Sequence, residues 1–391
     1  MRSNGILVFY HCHTNPGYAV GRHEIDFYNM ACAFTGDLNK VHLGYTDLSS
    51  GMPSYIDETC HERVIEFDSM TSNIDKLLEL YKYIADNNID VAFGFDQPVR
   101  SNAYYYMRKA GIKLLVSYWG APMSSINSGL KLLLKRIEVG FTRYKPDHFI
   151  FQSESMANTA TLGRGICKNN ISVIHNAVNT DIYKPNVNHN NYAHNLLRIP
   201  KDRKIIYYSG HMEERKGVHI IVKAADELVR VRKRDDVHFI FLGNINGEEK
   251  KFEPIYINSE TENHITFCGY RHDIDQILPS CYLGVIASTG WDSFTMSSME
   301  IASSGLPLIV SNLQGLTETV VDGVTGYYFT TGSSIDLANK IEAILDDVSL
   351  RNKMGLAGRK RVIERFSLEH HMHLLLATMY RLYHKCVINR P

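Results

Sequence analysis

Short runs of β-branched and aromatic residues alternate along the chain with longer stretches in which apolar residues recur every three or four positions. The short runs predict strands and the periodic stretches predict helices. In the first half the predicted strands cover residues 6–10, 41–45, 91–95, 113–119, 148–153 and 171–175. In the second half they cover residues 204–209, 237–243, 265–269, 282–288 and 306–311. Because these runs are apolar throughout, we expect parallel sheets that helices cover on both faces.

The series of strands and helices occurs twice, which predicts an α/β protein with two doubly wound, Rossmann-like domains. The polar segment 183–202 separates the two series. We therefore expect an N-terminal domain over residues 1–180 and a C-terminal domain over residues 181–370. A periodic stretch at 367–389 predicts a long terminal helix, so that residues 371–391 could cross back to the N-terminal domain. Open parallel sheets bind ligands beyond the carboxyl ends of their strands, which favours a site in a cleft between facing domains.

A candidate anion-binding loop follows the first strand of the second half, in SGHMEERKGVHIIVKAADELV (209–229). Its apolar periodicity predicts a helix that begins near Gly217. Backbone amides at a helix start attract anions, and Lys216 with Arg215 adds positive charge at the same place. An ordinary turn with two solvated basic side chains is the alternative interpretation. No G-x-G-x-x-G or P-loop pattern is present in this half, which argues against dinucleotide dehydrogenases and P-loop enzymes.

Two carboxylates, Asp292 and Glu300, flank a Ser-rich stretch in WDSFTMSSMEIASSGLPLIVS (291–311). Ser297 and Glu300 match the S-x-x-E capping box, so Glu300 could simply cap a helix that begins at Ser297. The alternative is a ligand site, because this helix start also follows a buried strand. An ionised carboxylate there can accept two hydrogen bonds from the vicinal hydroxyls of a ribose. The amides around Phe294, Thr295 and Met296 would then be available to phosphate oxygens.

Composition narrows the class of protein. The 391 residues carry 42 basic and 42 acidic side chains, so the formal charge of zero predicts no general affinity for nucleic acid. The seven cysteines are scattered and contain no C-x-x-C pair, which favours a reduced, cytoplasmic protein without a zinc site. The N-terminal apolar run is too short for a signal peptide, and no apolar stretch approaches the ~20 residues that span a bilayer.

The loop after the first strand, HCHTNPGYAVGRHEIDF (11–27), is a second candidate ligand-binding loop. Gly17 allows close approach of the backbone to a ligand, with His13 and Tyr18 beside it. His11, His13 and His23 do not have the spacing of a zinc site, so no metal is predicted. The D-x-D pattern that begins at Asp273 is expected to start a helix with Asp273 as its N-cap.

A basic, apolar stretch, KLLLKRIEVGFTRYK (131–145), carries five cations and a single acid, Glu138. Leu130, Leu133 and Leu134, with Ile137 and Phe141, form one stripe at helical spacing. We expect this stripe to pack into the core and the cations to be solvated. The alternative is a surface helix that contacts anionic lipid.

At this point three segments carry a resemblance to a known family. The Asp292-x7-Glu300 segment resembles the E-x7-E segment of retaining glycosyltransferases with the GT-B fold, specifically the large GT4-like family, the glycosyl transferases group 1. SGHMEERKG (209–217) is similar to the G-R-L-x-x-x-K-G loop of that family, and VIHNAVNTDIYKP (173–185) to its N-G-V-D-x-x-x-F-x-P segment. The resemblance covers most of residues 148–366. It implies two Rossmann-like domains that face each other across a cleft.

The resemblance also implies roles for particular residues. Lys216 would neutralise the donor diphosphate, Glu300 would hold the ribose and Asp292 would face the donor sugar. Four departures from the family pattern stand out: His211 replaces the loop arginine, Asp292 the first glutamate, Thr295 a glycine and Trp119 a first-domain histidine. Trp119, His13 and Tyr18 would lie on the acceptor side. The remaining donor contacts implied are Gly17, His211, Arg215, Tyr270, Arg271, Phe294, Thr295, Met296 and Ser297.

The function implied is transfer of a sugar, with retention, from a UDP- or GDP-linked donor to a hydroxyl acceptor, either a glycan or a lipid-linked one. Surface-polysaccharide assembly is the expected setting, without a required metal or cofactor and without a nucleic-acid partner. A protein of the same fold that binds nucleotide sugars with little or no transfer is the alternative. An exported binding protein and a sugar-nucleotide epimerase fit less well, since the chain lacks a predicted signal segment and a dinucleotide fingerprint.

Overall fold

The computed structural model describes residues 3–389, with only the backbone for Tyr18, Ala19 and Asn389. The chain divides into two compact units. One unit contains the chain up to His175 together with the segment that starts at His371, and the other is Asn176–His370. The polar segment 183–202 belongs to the second unit, where it forms a short helix at Tyr192–Leu197.

The first unit contains a parallel sheet of seven strands in the order β3-β2-β1-β4-β5-β6-β7. The strands are β1 Ile6–Phe9, β2 Val41–Tyr45, β3 Val64–Glu66, β4 Val91–Phe95, β5 Leu114–Trp119, β6 His148–Phe151 and β7 Ile171–Val173. The helices are α1 Tyr18–Thr35, α2 Ile74–Asp86, α3 Ala103–Ala110, α4 Gly129–Phe141 and α5 Glu154–Asn158. The chain order reverses between β1 and β4, which is the topological switch point of this sheet.

The second unit contains a parallel sheet of six strands in the order β10-β9-β8-β11-β12-β13. Its strands are β8 Lys204–Ser209, β9 Val237–Leu242, β10 Ile265–Phe267, β11 Cys281–Ile286, β12 Leu308–Ser311 and β13 Gly326–Phe329. Its helices are α6 Tyr192–Leu197, α7 Val218–Asp226, α8 Glu253–Tyr256, α9 Ile274–Ile277, α10 Met296–Ser303, α11 Ser334–Asp346 and α12 Val348–Arg365. The switch point of this sheet lies between β8 and β11.

Both sheets are buried on both faces, which confirms the predicted fold class. In β8, Ile206 and Tyr208 belong to one apolar cluster, whereas Ile205 and Tyr207 belong to another on the opposite face. Successive side chains of a strand point to opposite faces, so a strand between two layers of helices must be apolar at every position. This requirement explains the continuous apolar runs in the sequence.

A final helix, α13 Leu368–Asn389, returns the chain to the first unit. Leu375, Met379 and Tyr383 lie in the same apolar cluster as β1. The Tyr383 hydroxyl donates a hydrogen bond of 2.6 Å to the carboxylate of Asp90 at the start of β4. Residues from near the end of the chain therefore complete the core that its beginning forms.

The expected burial of the apolar stripe on α4 is wrong. Leu130, Leu133, Leu134, Ile137 and Phe141 are all exposed. The body of the first unit packs instead against the opposite side of the helix, where Val139 is buried. Within the described part of the chain, no helix is both long enough and apolar enough to cross a bilayer.

Candidate functional site

Two loops of the second unit meet at its switch point. One loop follows β8 and leads into α7, and the other follows β11 and leads into α10. Strands β8 and β11 are hydrogen-bonded neighbours, so their carboxyl ends bring the two loops side by side. The backbone oxygen of Arg215 accepts hydrogen bonds from the amides of Thr289, at 2.7 Å, and Gly290, at 3.2 Å. The candidate phosphate loop and the carboxylate loop thus form one structure.

Gly217 allows this close approach. Its φ of +69° lies in the left-handed region, which glycine adopts without strain. A Cβ at this position would lie 1.8 Å from the carbonyl oxygen of Ala287, at the end of β11. Since no side chain fits in that space, glycine is required both for the conformation and for the packing. The helix begins at Val218, in agreement with the expected start near Gly217.

The ammonium of Lys216 contacts the carboxylate of Asp292, with Nζ 2.8 Å from Oδ2. The Ser288 hydroxyl donates to the same oxygen at 2.6 Å, and the Ser293 amide donates to Oδ1 at 3.0 Å. The side chains of Asp292 and Lys216 are 6% and 17% exposed. The acid is therefore fixed by three donors, while its lysine partner still reaches the surface.

Arg215 is held away from this pair. Its guanidinium lies 2.7 Å from the carboxylate of Glu213 and 4.3 Å from the ring centre of Trp291. It also donates a hydrogen bond of 3.2 Å to the carbonyl oxygen of Trp291. The structure thus brings Lys216 and Asp292 together and directs Arg215 toward the rim of the same loops.

The capping-box interpretation of Ser297 and Glu300 is wrong. The helix α10 begins at Met296 with Thr295 as its N-cap residue, and Glu300 lies in the second turn. The Thr295 hydroxyl shares a hydrogen bond with the Ser298 hydroxyl, and no side chain caps the first-turn amides. Met296 and Ser297 are partly exposed residues in the first turn of this helix, where backbone amides generally attract anions.

Glu300 is buried, with 3% of its surface exposed, close to the core tyrosine of β8. Burial raises the pKa of Tyr207 well above its usual value, and the charge of Glu300 raises it further. Phe294 points away from solvent and packs on Phe366 at 4.8 Å between ring centres. Only the backbone of Phe294 is therefore available for ligand contacts, and its carbonyl already accepts a hydrogen bond of 2.7 Å from Asn176.

Tyr270 and Arg271, two of the implied donor contacts, follow β10 and differ in exposure and pairing. Tyr270 is 62% exposed, whereas Arg271 is bound to Asp273, with Nε 2.8 Å from Oδ1. Asp273 is the N-cap residue of α9 as expected, and its carboxylate also accepts a hydrogen bond of 2.8 Å from Tyr192. The D-x-D pattern is therefore part of an ion-paired turn. His211 is exposed, and its backbone oxygen accepts the Tyr208 hydroxyl at 3.0 Å.

In the first unit, the predicted acceptor residues lie at the carboxyl edge of the sheet. Trp119 donates from Nε1 to the carbonyl oxygen of Gln97 at 3.1 Å, and His13 bonds the Thr14 oxygen at 2.7 Å. Gly17 is the N-cap of α1 with a φ of +103°, and a Cβ there would meet no atom within 4 Å. That open space would allow a ligand to approach the backbone. The side chain of Tyr18 lies outside the described part of the structure.

Sequence analysis missed Asp96, which follows β4 at the same edge. It has a left-handed φ of +52°, and its carboxylate accepts the amide of Gly120 at 2.7 Å. Burial raises the pKa of Asp96 to about 6, against the lowering effect of the Gly120 amide and of His11. Its position one residue after an apolar strand was the available signal. Ser288 and Gln314, which bond Asp292 through its carboxylate and amide, were missed as well.

The histidines near α1 do not form a metal site. His23 is buried, stacks on Phe27 at 5.5 Å and bonds Gln152 at 2.9 Å. Burial lowers the pKa of His23 to about 3, which keeps the ring neutral. Among residues 3–389 no group of three or more His, Cys, Asp and Glu side chains is arranged to hold a metal ion.

Most of the second unit matches a known protein family. Residues 192–361 match the family model "Glycosyl transferases group 1". The capsular polysaccharide biosynthesis glycosyltransferase CapM of Staphylococcus aureus is 30% identical over 175 residues, which are 44% of each chain. The chain thus spans about half the length of curated relatives such as CapM. A UDP-Gal:alpha-D-GlcNAc-diphosphoundecaprenol alpha-1,3-galactosyltransferase of Escherichia coli is 22% identical over 77% of each chain.

Solved structures share the fold over nearly the whole chain. A glycosyltransferase from Rickettsia africae superposes with a TM-score of 0.78 at 18% identity, covering 97% of this chain and 98% of its own. Anabaena Alr3699/HepE, in complex with UDP, has a TM-score of 0.76 at 18% identity and covers 96% of this chain and 100% of its own. The family match, over residues 192–361, lies in the unit that carries Lys216, Asp292 and Glu300. The chain therefore has the fold of the GT-B glycosyltransferases, and its residues 192–361 match the group 1 glycosyl transferases.

Proposed function

We propose that this protein is a retaining glycosyltransferase that moves a sugar from a UDP- or GDP-linked donor to a hydroxyl acceptor in glycan or surface-polysaccharide assembly. The group 1 domain and the relatives from capsule and lipid-linked glycan synthesis support this proposal. The UDP bound to the Anabaena protein supports a nucleotide-sugar donor. The acceptor is proposed to be a glycan or a lipid-linked sugar. The proposal includes a cytoplasmic location, which agrees with the seven free cysteines. It also includes contact with the membrane surface.

The observation that carries the proposal is the contact between Lys216 and Asp292 beside the uncapped N-terminus of α10. A cation and free amides at the switch point of an open sheet form a suitable environment for a diphosphate. Asp292 holds the lysine at this point, so the charge is in place before the donor arrives. Preorganised charge of this kind stabilises a leaving group without reorganisation during the reaction.

In the proposed reaction the bond between the anomeric carbon and the donor phosphate oxygen breaks, and the acceptor oxygen bonds the same face of that carbon. The acceptor proton passes to an oxygen of the departing diphosphate. Lys216 and the amides of Met296 and Ser297 stabilise the negative charge that develops there. Glu300 binds the ribose hydroxyls, and Asp292 orients both Lys216 and the donor sugar. Since Lys216 supplies the neutralising charge, the proposal includes no metal.

The test is donor turnover by the purified full chain. We expect Lys216→Ala and Glu300→Ala each to reduce turnover at least ~100-fold, the scale of losing one electrostatic stabiliser. Lys201→Ala is the matched control, because this exposed lysine lies on the same unit outside the two loops. Wild-type rates in both site variants would refute the assignment of the site.

The binding-only alternative is distinguished by ligand-dependent melting. Thermal unfolding is measured with UDP, GDP, ADP and their sugars, since a ligand at 100 times its dissociation constant adds about 2.7 kcal/mol to stability. A nucleotide shift together with slow hydrolysis or transfer supports the enzyme. A shift without any turnover, under all donors and with simple hydroxyl acceptors, supports a nucleotide-sugar binder instead.

A further inference from the structure

Helix α4 presents its apolar stripe to solvent. Five large apolar side chains, at one face of the helix, are 46% to 86% exposed: Leu130, Leu133, Leu134, Ile137 and Phe141. At roughly 100° per residue these five positions fall within an arc of about 100°. Ile126, just before the helix, is also exposed. Contiguous apolar patches on a protein surface mark sites of contact with another molecule or a membrane.

The other side of α4 attaches the helix to the body of the first unit. Val139 is buried and Leu132 is partly buried, and both lie roughly 180° from the centre of the stripe. The π-helical turn Thr159–Arg164 packs along this side, where Gly165 approaches the backbone of Arg136. The helix is therefore held from behind, and its apolar stripe points outward from a fixed support.

Cations border the stripe on both sides. Lys131 and Arg136 are exposed and lie roughly 100° and 120° from Leu130, in opposite directions around the helix. Glu138, the single acid of the helix, is neutralised by Arg164 at 2.8 Å and Lys135 at 3.2 Å. The hydrogen bond from Arg164 lowers the pKa of Glu138 to about 2, so this carboxylate stays ionised and paired. The surface around the stripe is therefore positively charged.

The chain after α4 adds aromatic side chains with polar ends. Tyr144 packs against Tyr105 with 5.2 Å between ring centres, and Arg143 lies 5.3 Å from the ring centre of Tyr144. Tyr105 is 43% exposed, with Lys109 over its ring at 6.0 Å. Tyrosines beside basic residues are typical of protein surfaces at a membrane interface, because their rings are apolar and their hydroxyls remain hydrated.

We propose that the outward face of α4 docks on the surface of an anionic lipid bilayer. We call this face the α4 surface and define it by Leu130, Leu133, Leu134, Ile137 and Phe141 with the flanking Lys131, Arg136 and Arg143. The helix lies in the plane of the interface, with its apolar side chains below the head groups and its cations beside the lipid phosphates. The flanking charge selects anionic lipid over a second copy of this chain, since two α4 surfaces would bring like charges together.

This inference deepens the membrane contact included in the proposed function, but it is argued from the surface itself and does not rest on the proposed transfer reaction. It is tested by flotation of the full chain with phosphatidylcholine vesicles, with and without about one third phosphatidylglycerol, at low and high salt. We expect flotation only with the anionic vesicles and weaker binding at high salt. Lys131→Glu together with Arg136→Glu should reduce binding at least ~20-fold, because each basic group near an anionic surface accounts for about fivefold.

The apolar stripe is tested with Leu130→Glu against Leu356→Glu, two leucines that are both 71% exposed. We expect the first to abolish flotation and the second, on α12 of the other unit, to leave it unchanged. Lys360→Glu is the corresponding control for charge. Equal flotation of Leu130→Glu and Leu356→Glu would overturn the proposal, as would equal binding to neutral vesicles.

Sedimentation without lipid tests whether the α4 surface binds a second copy of this chain instead. A dimer that Leu130→Glu converts to a monomer would assign the α4 surface to self-association and overturn lipid docking. Each variant is checked by its thermal unfolding and by donor hydrolysis in solution, neither of which should change. Loss of flotation with intact hydrolysis therefore separates this inference from the proposed function.

Discussion

The contact between Lys216 and Asp292 predicts a measurable coupling free energy in the second unit. The perturbation is a double-mutant cycle of Lys216→Met and Asp292→Asn, which removes each charge with little change of volume. At 2.8 Å the gross attraction of two unit charges is about 6 kcal/mol with an effective dielectric constant near 20. Desolvation of a carboxylate that is 6% exposed opposes most of this attraction. We expect a net coupling of about 2 kcal/mol, between the values typical of exposed and of fully buried pairs.

The two single variants should lower the free energy of unfolding by different amounts. Without Lys216, Asp292 remains buried but keeps the Ser288 hydroxyl and the Ser293 amide as donors. Without the carboxylate, Lys216 can turn to water, because its side chain is already 17% exposed. Lys216→Met should therefore be the more destabilising change, by about 2–3 kcal/mol, against about 1–2 kcal/mol for Asp292→Asn.

The assay is urea unfolding followed by tryptophan fluorescence in a Trp119→Phe background. The chain has two tryptophans, so this background leaves Trp291, next to Asp292, as the reporter. The control cycle uses Lys233 and Glu260, an ion pair of 2.9 Å whose side chains are 66% and 62% exposed. Its coupling should be below about 1 kcal/mol. Additive effects of Lys216→Met and Asp292→Asn, within ~0.5 kcal/mol, would refute the argument from burial.

Two further predictions concern single positions. The pKa of Asp96 in the folded protein is about 6, above its ordinary value, so the protonated carboxyl favours the folded state. This contribution to the free energy of unfolding is fully present below pH ~4 and is lost as the pH rises through 6. Above pH 6 the free energy of unfolding of Asp96→Asn, measured by denaturant titration, should therefore exceed that of the wild type by about 1–3 kcal/mol, whereas at pH 4 the two should be equal. Equal free energies of unfolding at about pH 7.5 would contradict this prediction. Gly217→Ala should cost more than ~3 kcal/mol, because its Cβ would clash with the Ala287 oxygen. Gly332→Ala, with a φ of +83° and open space around its Cβ, should cost only the ~1–2 kcal/mol of the left-handed conformation, and equal melting temperatures for the two variants would show that the clash is relieved.

The central strands could be predicted because parallel strands under two layers of helices must be apolar at every position. The two strands that were missed, β3 and β13, lie at sheet edges. An edge strand pairs on one side and can be short, so Val64–Glu66 carries too few apolar residues to stand out. In Gly326–Phe329 the strand starts with a glycine, which is typical of a turn.

The site was predictable in part. Loop positions after strands indicated Lys216 and Asp292 separately, but their contact depends on the pairing of β8 with β11, which no local pattern specifies. The capping box was misleading because Thr295, two residues earlier, also has the side chain of an N-cap residue. For α4 the periodicity gave the stripe but not its direction, since Val139 and Leu132 are sufficient to attach the opposite side.

The return of α13 to the first unit has a consequence for synthesis of the protein on the ribosome. The core around β1 contains Leu375, Met379 and Tyr383, so it stays open until those residues have been translated and have left the exit tunnel. The second unit, Asn176–His370, is complete before that moment and can fold while the earlier part of the chain waits. The core of the first unit is therefore completed after the second unit has been translated, and until then the strands near the N-terminus are a natural target for chaperones.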